Sequence, residues 1–333
     1  MSLTALITSI KTPQVARAGL LTCGVILPWF VGIALGEAQY GSIASFASYL
    51  LVVSFPSLPA RHTFRQLLIA ACLFCLFATI GSLVSLGSVA FFIPAVMAAL
   101  AQSLGELRGG FLRLPVALSA LAFFLSVGQL PSGGWLAYSL FFSSGAAWGL
   151  LLARLLIPFA GAETSSPASP GKLPLSQQGR YTLSMVTVSL LGSLIACFAP
   201  GSHPCWLPAA GLRVMKPTRD QTVYRMKTRS AGTLLGAMCA GLLLGLSAYP
   251  WLHAIIAAGM LFAMLLIGAR RYGCWTFCLT AIALAFNLNA ESSLTGMAVN
   301  RTLLTLVGIS LALMTLWMLP KKSCPPASDN SQR

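Results

Sequence analysis

Four basic side chains, Arg213, Lys216, Arg225 and Arg229, lie close together in the second half of the chain. Guanidinium and ammonium groups bind carboxylates through charge-assisted hydrogen bonds, and the planar guanidinium does so with paired donors. Arg225 and Arg229 are one helical turn apart, so on a helix they share a face. These residue types at this spacing favour the binding of small organic anions.

The residues that follow Lys216 predict the helix that would carry these cations. Thr218 and Gln221 have the Thr-x-x-Gln spacing of a capping box, which predicts that a helix begins near Thr218. Thr233 continues the face of Arg225 and Arg229 on this helix. The face therefore leads from two cations into a groove of small residues.

Each of these features also has a plainer interpretation. Gly232 and Gly236 have the spacing that favours close helix packing. Arg225 and Lys227 can fix the topology and bind lipid headgroups without contacting a substrate. Arg213 near the centre of a span costs about 2.5–3.5 kcal/mol, so it normally faces a cavity or a partner, and snorkelling to the membrane edge is its alternative.

The composition indicates the kind of protein that carries these residues. Of the 333 residues, 57% are hydrophobic and 8% are charged, whereas a soluble domain has about 25% charged residues. These values exclude a soluble enzyme and a disordered chain. A net charge of +15 in a soluble protein would suggest nucleic acid. In so hydrophobic a chain it indicates basic cytoplasmic loops instead, and no nucleic acid partner is expected.

The apolar runs predict an all-α, polytopic membrane protein with about twelve transmembrane helices, since about 20 residues cross a bilayer core of ~30 Å. The short loops between the runs predict antiparallel neighbours. The predicted spans are 17–36, 40–55, 64–84, 87–103, 112–128, 134–158, 181–199, 204–217, 226–247, 250–268, 272–288 and 300–319.

The distribution of basic residues predicts the orientation. On this map all but one of the 21 Lys and Arg residues fall at one set of helix ends, which predicts that both termini are cytoplasmic. Arg301 is the exception. We expect it to be exposed at the outer side and paired with Glu291, with attraction of a departing anion as a weaker alternative.

The two halves of the chain repeat with an offset of about 162–164 residues. Gly134–Pro158 aligns with Gly296–Pro320 without a gap, and Arg65 aligns with Arg229. Six spans per half is an even number, so the halves are predicted to be parallel repeats related by an axis along the membrane normal. The predicted parts are a first six-helix repeat at 1–160, a cytoplasmic linker at 161–179, a second repeat at 180–322 and a disordered cytoplasmic tail at 323–333.

Two short segments, 40–55 and 204–217, correspond in this alignment, and Pro208 and Gly211 interrupt the second. Paired short, interrupted segments indicate a transport site, which we expect between the repeats. Trp206 either stacks on an aromatic substrate or lies at the membrane interface. The predicted substrate-binding residues are Arg213, Lys216, Arg225, Arg229, Arg65, Trp206 and Thr233.

The acidic residues near the spans are Glu37, Glu106, Asp220 and Glu291, and all are predicted to sit at span ends. A buried proton relay needs an acid within the membrane, so proton antiport lacks an obvious residue. An interior-negative membrane potential pushes a monovalent anion outward with roughly 2.3 kcal/mol per 100 mV. The sequence leaves the energy source open.

No arrangement typical of an enzyme, a cofactor site or a metal site is recognisable. The chain lacks a P-loop motif, and the three histidines lie in different segments. The cysteine pairs within apolar runs are expected to be small apolar side chains rather than metal ligands. Cys197 and Cys205 bracket a short loop in which a disulfide is chemically possible. We therefore expect a protein without enzymatic activity, cofactor or metal.

Three motifs carry a resemblance to a known family: Trp206-Leu-Pro, Lys216-Pro217-Thr, and Arg225-x-x-x-Arg229-x-x-Gly-Thr-Leu-Leu-Gly. They resemble the signature of the fusaric acid resistance and aromatic-acid exporter superfamily, which also includes the plant aluminium-activated malate channels. The likeness is close over 204–236 and loose in the first half. Longer relatives attach a soluble cytoplasmic domain to each helix bundle, so this chain resembles a short member without those domains.

The resemblance implies a transporter in the bacterial inner membrane that exports small organic anions, often aromatic carboxylates, as an efflux or resistance protein. It also implies a periplasmic adaptor of the membrane-fusion type as a partner. Three alternatives stay open from the residues themselves. They are an anion channel of the malate-channel type, a non-transporting component of envelope assembly, and an exporter of cationic or neutral drugs, which the scarcity of intramembrane acids disfavours.

Overall fold

The computed structural model describes residues 12–54, 63–156, 173–201, 203–245, 249–268, 271–286 and 294–321. Within these residues the chain forms twelve α-helices and no strand, which confirms the all-α prediction. The first six are α1 (Thr12–Ala34), α2 (Ala38–Ser54), α3 (Thr63–Leu83), α4 (Val89–Arg108), α5 (Arg113–Ser126) and α6 (Gly134–Leu156). The others are α7 (Leu175–Ala196), α8 (Trp206–Val214), α9 (Arg219–Leu244), α10 (Pro250–Ile267), α11 (Tyr272–Ala285) and α12 (Leu294–Met314).

Six helices of the described residues, α1, α3, α4, α6, α10 and α12, are long and apolar enough to cross a membrane. Large apolar side chains such as Leu140, Leu242 and Trp317 are exposed on the outside of the bundle, as lipid contact requires. The chain is therefore a multi-pass helical membrane protein. Each of the twelve predicted segments overlaps one helix, and which helices besides these six cross the membrane stays a prediction.

The predicted linker and tail are only partly open to comparison. Residues 157–172 and 322–333 lie outside the described residues. Helix α7 begins at Leu175, inside the segment predicted as linker. Its first turns are polar, and so the hydrophobic pattern placed the start of the span later.

Helix α8 corrects the predicted span at 204–217. It has nine residues, or about 14 Å at 1.5 Å per residue, which is too short to cross ~30 Å of hydrocarbon. Pro208 and Gly211 lie inside the helix and do not interrupt it. The helix ends at Val214 because the next residue, Met215, is extended. Pro217 then keeps the helix from resuming, since it disfavours a helical conformation at Lys216. The corresponding α2 is a continuous helix of 17 residues. Only one of the two segments, 204–217, therefore leaves the helical conformation before its predicted end.

The backbone that follows α8 is buried in protein and its polar groups are satisfied there. The Lys216 N–H donates to the Thr222 hydroxyl at 2.9 Å, and the Arg219 N–H donates to the Pro320 carbonyl at 2.8 Å. Non-helical backbone at membrane depth is tolerated only under such conditions. Thr218 is the N-cap of α9, as predicted, but its side chain makes no capping hydrogen bond, so the predicted capping box does not form.

The helices of the two halves pack in the same pattern. The pairs α1–α2, α2–α6, α3–α5, α3–α6 and α4–α5 are in contact, and each has a counterpart six helices later: α7–α8, α8–α12, α9–α11, α9–α12 and α10–α11. Two contacts between the halves correspond in the same way. Helix α4 packs on α7, and the equivalent helix six positions later, α10, packs on α1. The central cavity described below lies between these two sets of helices.

Two glycines mark equivalent close approaches in the two halves. A side chain at Gly145 of α6 would meet the carbonyl of Ala44 on α2, and one at Gly308 of α12 would meet the carbonyl of Leu207 on α8. The glycines are 163 residues apart, and so are Ala44 and Leu207. The gapless sequence alignment of these helices pairs Gly145 with Val307. The structural equivalence at this contact pairs Gly145 with Gly308, so the two differ by one residue.

One contact between the halves is tied by side-chain hydrogen bonds. Ser189 on α7 donates to the carbonyl of Ala95 on α4 at 2.8 Å. Gln102 on α4 donates through Nε2 to the carbonyl of Leu212 on α8 at 2.9 Å. The second bond satisfies a carbonyl at the end of α8 that has no partner within so short a helix. Helix α4 of the first half therefore supports the short helix of the second.

Candidate functional site

A cavity with an empty volume of about 1020 Å³, part of which is open to solvent, lies between the two halves. Helices α2, α5 and α6 line it from the first half, and α8, α9, α11 and α12 line it from the second. The position between the halves agrees with the predicted site.

Three arginines from three helices line this cavity: Arg213 on α8, Arg229 on α9 and Arg301 on α12. Arg229 and Arg301 are each only 3% exposed. The Nε atom of each of the three guanidinium groups is buried without a hydrogen-bond partner among the described residues. Arg229 is close enough to Arg213 and to Arg301 for their charges to repel one another. No described residue that lines the cavity is acidic.

One end of the cavity is formed by a stack of three side chains. The guanidinium carbon of Arg301 lies 4.2 Å from the ring centroid of Trp206, and the ring of His203 stacks on the same indole at 4.6 Å. Burial and the nearby Arg301 charge lower the pKa of His203 to about 3, so the imidazole is neutral at physiological pH. This stack holds Arg301 in place by a cation–π contact.

The prediction that Arg301 is exposed was wrong. It is buried in the cavity rather than exposed, because Trp206 of the neighbouring helix α8 covers its guanidinium. Its expected partner, Glu291, lies outside the described residues. The sequence contains one signal for the unusual position of Arg301. It is the single Lys or Arg residue that does not fall at the helix ends where all the others lie.

At the other end of the arginine group, Tyr272 lies between two cations. Nη1 of Arg229 donates to the Tyr272 hydroxyl at 3.5 Å, and the guanidinium carbon of Arg225 lies 4.3 Å from its ring centroid. Arg225 and Tyr272 do not line the cavity themselves. The sequence pattern gave no signal for Tyr272, which precedes an apolar run like many interfacial tyrosines.

Lys216 lies outside the cavity and pairs with an acidic residue. Its Nζ contacts Glu106 Oε1, and Nε of Arg113 donates to Glu106 Oε2 at 2.8 Å. Glu106 lies in the last turn of α4, at a helix end as predicted, and it is only 3% exposed there. Its burial follows from the packing of α4 against the segment after α8. Glu37 and Asp220 are exposed.

Arg65 and Thr233, the other predicted residues, do not line the cavity. Arg65 is exposed on α3, and Thr233 is buried on α9 one turn beyond Arg229. The neighbouring Gly232 packs against α11, where an added Cβ would lie 2.6 Å from the Gly273 carbonyl oxygen. This contact supports the plainer interpretation of the small residues as helix packing.

Aromatic and aliphatic side chains form most of the remaining wall. Phe46 of α2 and Phe286 at the end of α11 make an edge contact with centroids 6.1 Å apart, and Trp29 stacks behind Phe286 at 4.9 Å. Tyr49 and Tyr138 also line the cavity. Hydropathy cannot separate such residues from ordinary core aromatics, so the sequence did not single them out. The cavity thus combines cations with flat apolar surfaces.

No group of three or more residues in the described parts of the chain could hold a metal ion. Cys197 and Cys205 are free thiols, so no disulfide joins them.

The fold and this cavity define a multi-pass helical membrane protein with a basic, aromatic chamber between its two halves. Residues 183–315 match the family model described as fusaric acid resistance protein-like. The match covers most of the second half, including Trp206, Arg213, Arg229 and Arg301, and confirms the resemblance to that superfamily predicted from 204–236. No curated protein and no solved structure matches the chain.

Proposed function

We propose that this protein exports small organic anions, in particular aromatic carboxylates, across the inner membrane of a bacterium. The observation that supports this function best is the set of three cavity arginines whose buried Nε donors lack partners in the described chain. A carboxylate satisfies such donors with charge-assisted hydrogen bonds. The aromatic walls suit a flat ring, and Trp206 at one end offers a further stacking surface. No enzymatic role is proposed.

In this proposal all twelve helices belong to two parallel six-helix repeats within the membrane. The repeated packing pattern and the two glycine contacts 163 residues apart support this arrangement. Both termini and the end of the bundle that carries Arg219 are cytoplasmic, because nearly all Lys and Arg residues lie there. The Trp206 end of the cavity then faces the periplasm.

The arginines lie in the order that an outgoing anion would meet. It would pass Arg225 and displace Tyr272 from Arg229, enter the cavity between Arg213 and Arg229, and leave past Arg301. Guanidinium groups replace part of the hydration that the carboxylate loses on entry. The membrane potential favours this direction for any anion. A periplasmic adaptor of the membrane-fusion type would receive the substrate.

The test is efflux from proteoliposomes loaded with radiolabelled benzoate under an imposed potassium diffusion potential. We expect potential-dependent efflux from the native protein. Arg229→Gln should lower benzoate affinity at least about tenfold, since hydrogen bonds to charged groups contribute about 1.5–3 kcal/mol.

Lys227→Gln is the matched control, because Lys227 lies on the same helix but is exposed. It should retain native efflux. Absence of benzoate movement in every preparation would favour a non-transporting envelope component. Flux that does not saturate and shows no competition between substrates would favour an anion channel.

A further inference from the structure

We infer that the cavity accepts an organic dianion whose two anionic groups are held apart, one by Arg213 and Arg229 and the other by Arg301. This inference rests on the proposed function, because it names the substrate class of the same cavity.

The first argument is charge compensation. The described residues lining the cavity carry three guanidinium groups and no carboxylate. Buried charges normally require a partner of opposite charge. A monoanion would compensate one of the three cations, whereas a dianion would compensate two. The binding of two charges therefore fits the cavity better than the binding of one.

Lys216 serves as an internal comparison. This cation is also buried, but it lies outside the cavity and the chain supplies Glu106 as its partner. The same carboxylate also binds Arg113. The described chain thus compensates a buried cation where no ligand is needed, and leaves the Nε donors of the cavity arginines free.

The second argument is the separation of the cations. Arg301 stacks on Trp206, the first residue of α8. Arg213 lies on the same helix seven residues later, which is about 10 Å along its axis. Ile43, Phe46 and Phe286 line the same cavity with apolar surface. A suitable dianion therefore has a rigid apolar body with an anionic group at each end, such as a benzene ring with carboxylates at positions 1 and 4.

The experiment is isothermal titration of the purified protein in nanodiscs, at neutral pH in a buffer without chloride. The probes are terephthalate, its monomethyl ester, phthalate and benzoate. The ester keeps the shape of terephthalate but carries one negative charge, so the pair isolates the second charge. We expect terephthalate to bind at least about tenfold more tightly than the ester, and more tightly than phthalate, whose carboxylates are adjacent.

Two variants test the assignment of the subsites. Arg301→Gln should reduce the terephthalate affinity to that of the ester. Glu291→Gln should leave the ratio of the terephthalate and ester affinities unchanged, because the inference assigns the second charge at Arg301 to the ligand. Lys227→Gln is the control on the exposed side of α9.

The outcomes separate the two proposals. If no probe binds, the proposed function fails. If the ester and terephthalate bind equally, the protein binds monoanions and the dianion inference alone is overturned. Tightening of the ester by added chloride would overturn it as well, since the second anion would then be an inorganic ion. A gain of terephthalate preference in Glu291→Gln would also contradict it, because Glu291 would then be the native partner of Arg301.

Discussion

At the scale of single residues, the site depends on where each guanidinium finds its partners. Arg229 bonds the Tyr272 hydroxyl through Nη1 and keeps Nε free. Arg225 contacts only the face of the Tyr272 ring among the contacts described above. The first arrangement uses the geometry of the guanidinium, whereas the second depends mainly on positive charge. The two arginines should therefore differ in their tolerance of lysine.

The first prediction concerns this difference. Arg229→Lys should insert normally but lower benzoate export roughly tenfold, because an ammonium cannot bond the tyrosine and a carboxylate with paired donors. Arg225→Lys should be milder, since a lysine also supports a cation–π contact. Export is measured in proteoliposomes, and protein levels are measured in membranes. Native export from Arg229→Lys would indicate that this arginine serves only to fix the topology.

Arg65→Lys belongs to the same series. The repeat alignment predicts that it behaves like Arg229→Lys if both repeats line one pathway. Arg65 is exposed on α3 and does not line the cavity, so we now expect native export from this variant. Poor export with normal insertion would restore Arg65 to the pathway.

Residues also show what the sequence could predict about the site. The sequence singled out Arg213, Arg229 and Trp206, because their cost or spacing within an apolar segment is visible in it, and all three line one cavity. The burial of Arg301 and of Glu106 was not predicted. Their burial depends on α8 and on the segment after it, which come from distant parts of the chain. Periodicity within one helix carries no information about which helix covers it.

At the scale of elements, the segment between α8 and α9 is supported by ionic and hydrogen-bonded contacts from α4. Lys216 pairs with Glu106 just beyond the Gln102 contact to α8. Removing one member of a buried ion pair leaves the other charge without compensation, which costs about 3–5 kcal/mol. Replacing both members removes that penalty.

The second prediction follows from this pair. Glu106→Gln should lower the thermal stability of the purified protein by the equivalent of about 3–5 kcal/mol. The double variant Glu106→Gln with Lys216→Met should recover much of the loss. The measurement is thermal unfolding in detergent followed by size-exclusion chromatography. Equal stability of the single variant and the native protein would mean that the pair contributes nothing.

The third prediction concerns the close helix contacts. Gly308→Ala and Gly145→Ala place a methyl group against a carbonyl of the neighbouring helix, and such overpacking costs about 1–3 kcal/mol. Both variants should therefore unfold at lower temperature than the native protein. Gly259→Ala on α10 is the control, because nothing lies within 4 Å of the added methyl group. Similar stabilities for all three variants would remove the role of these glycines in helix packing.

The helices themselves were predicted well, because hydrophobic runs of this length are the strongest signal in a membrane protein. The ends were less predictable. Helix α8 ends at the extended Met215, earlier than the apolar run suggested, and the polar start of α7 extends that helix beyond its predicted span. Both errors arise from local backbone preferences that hydropathy does not measure.

At the scale of the whole molecule, two halves with the same packing pattern enclose the cavity. The two largest helix contacts between the halves differ in chemistry. The described contact of α4 with α7 and α8 includes hydrogen bonds from Ser189 and Gln102. The contact of α1 with α10 brings Gly19 of α1 toward the ring of Phe262. The parallel repeats that we propose would place both ends of the chain on one side of the membrane.

The fourth prediction tests this topology. A reporter fusion at Ser169, between the halves, should be active only as a cytoplasmic reporter, and so should a fusion at the C-terminus. We expect both sites to be cytoplasmic because nearly all Lys and Arg residues lie at one set of helix ends, and such residues favour the cytoplasmic side. Alkaline phosphatase and green fluorescent protein fusions provide opposite signals for each side. A periplasmic Ser169 would overturn the assignment of both ends of the cavity.

The short helix α8 also determines how the chain can be synthesised. A nine-residue helix that carries Arg213 is a poor substrate for membrane insertion on its own, so it must enter together with neighbours that are already in place. Gln102 and Glu106, which contact α8 and the segment after it, belong to the half that leaves the ribosome first. The second half made as a separate polypeptide should be degraded by quality-control proteases. Co-expression of the first half should rescue it.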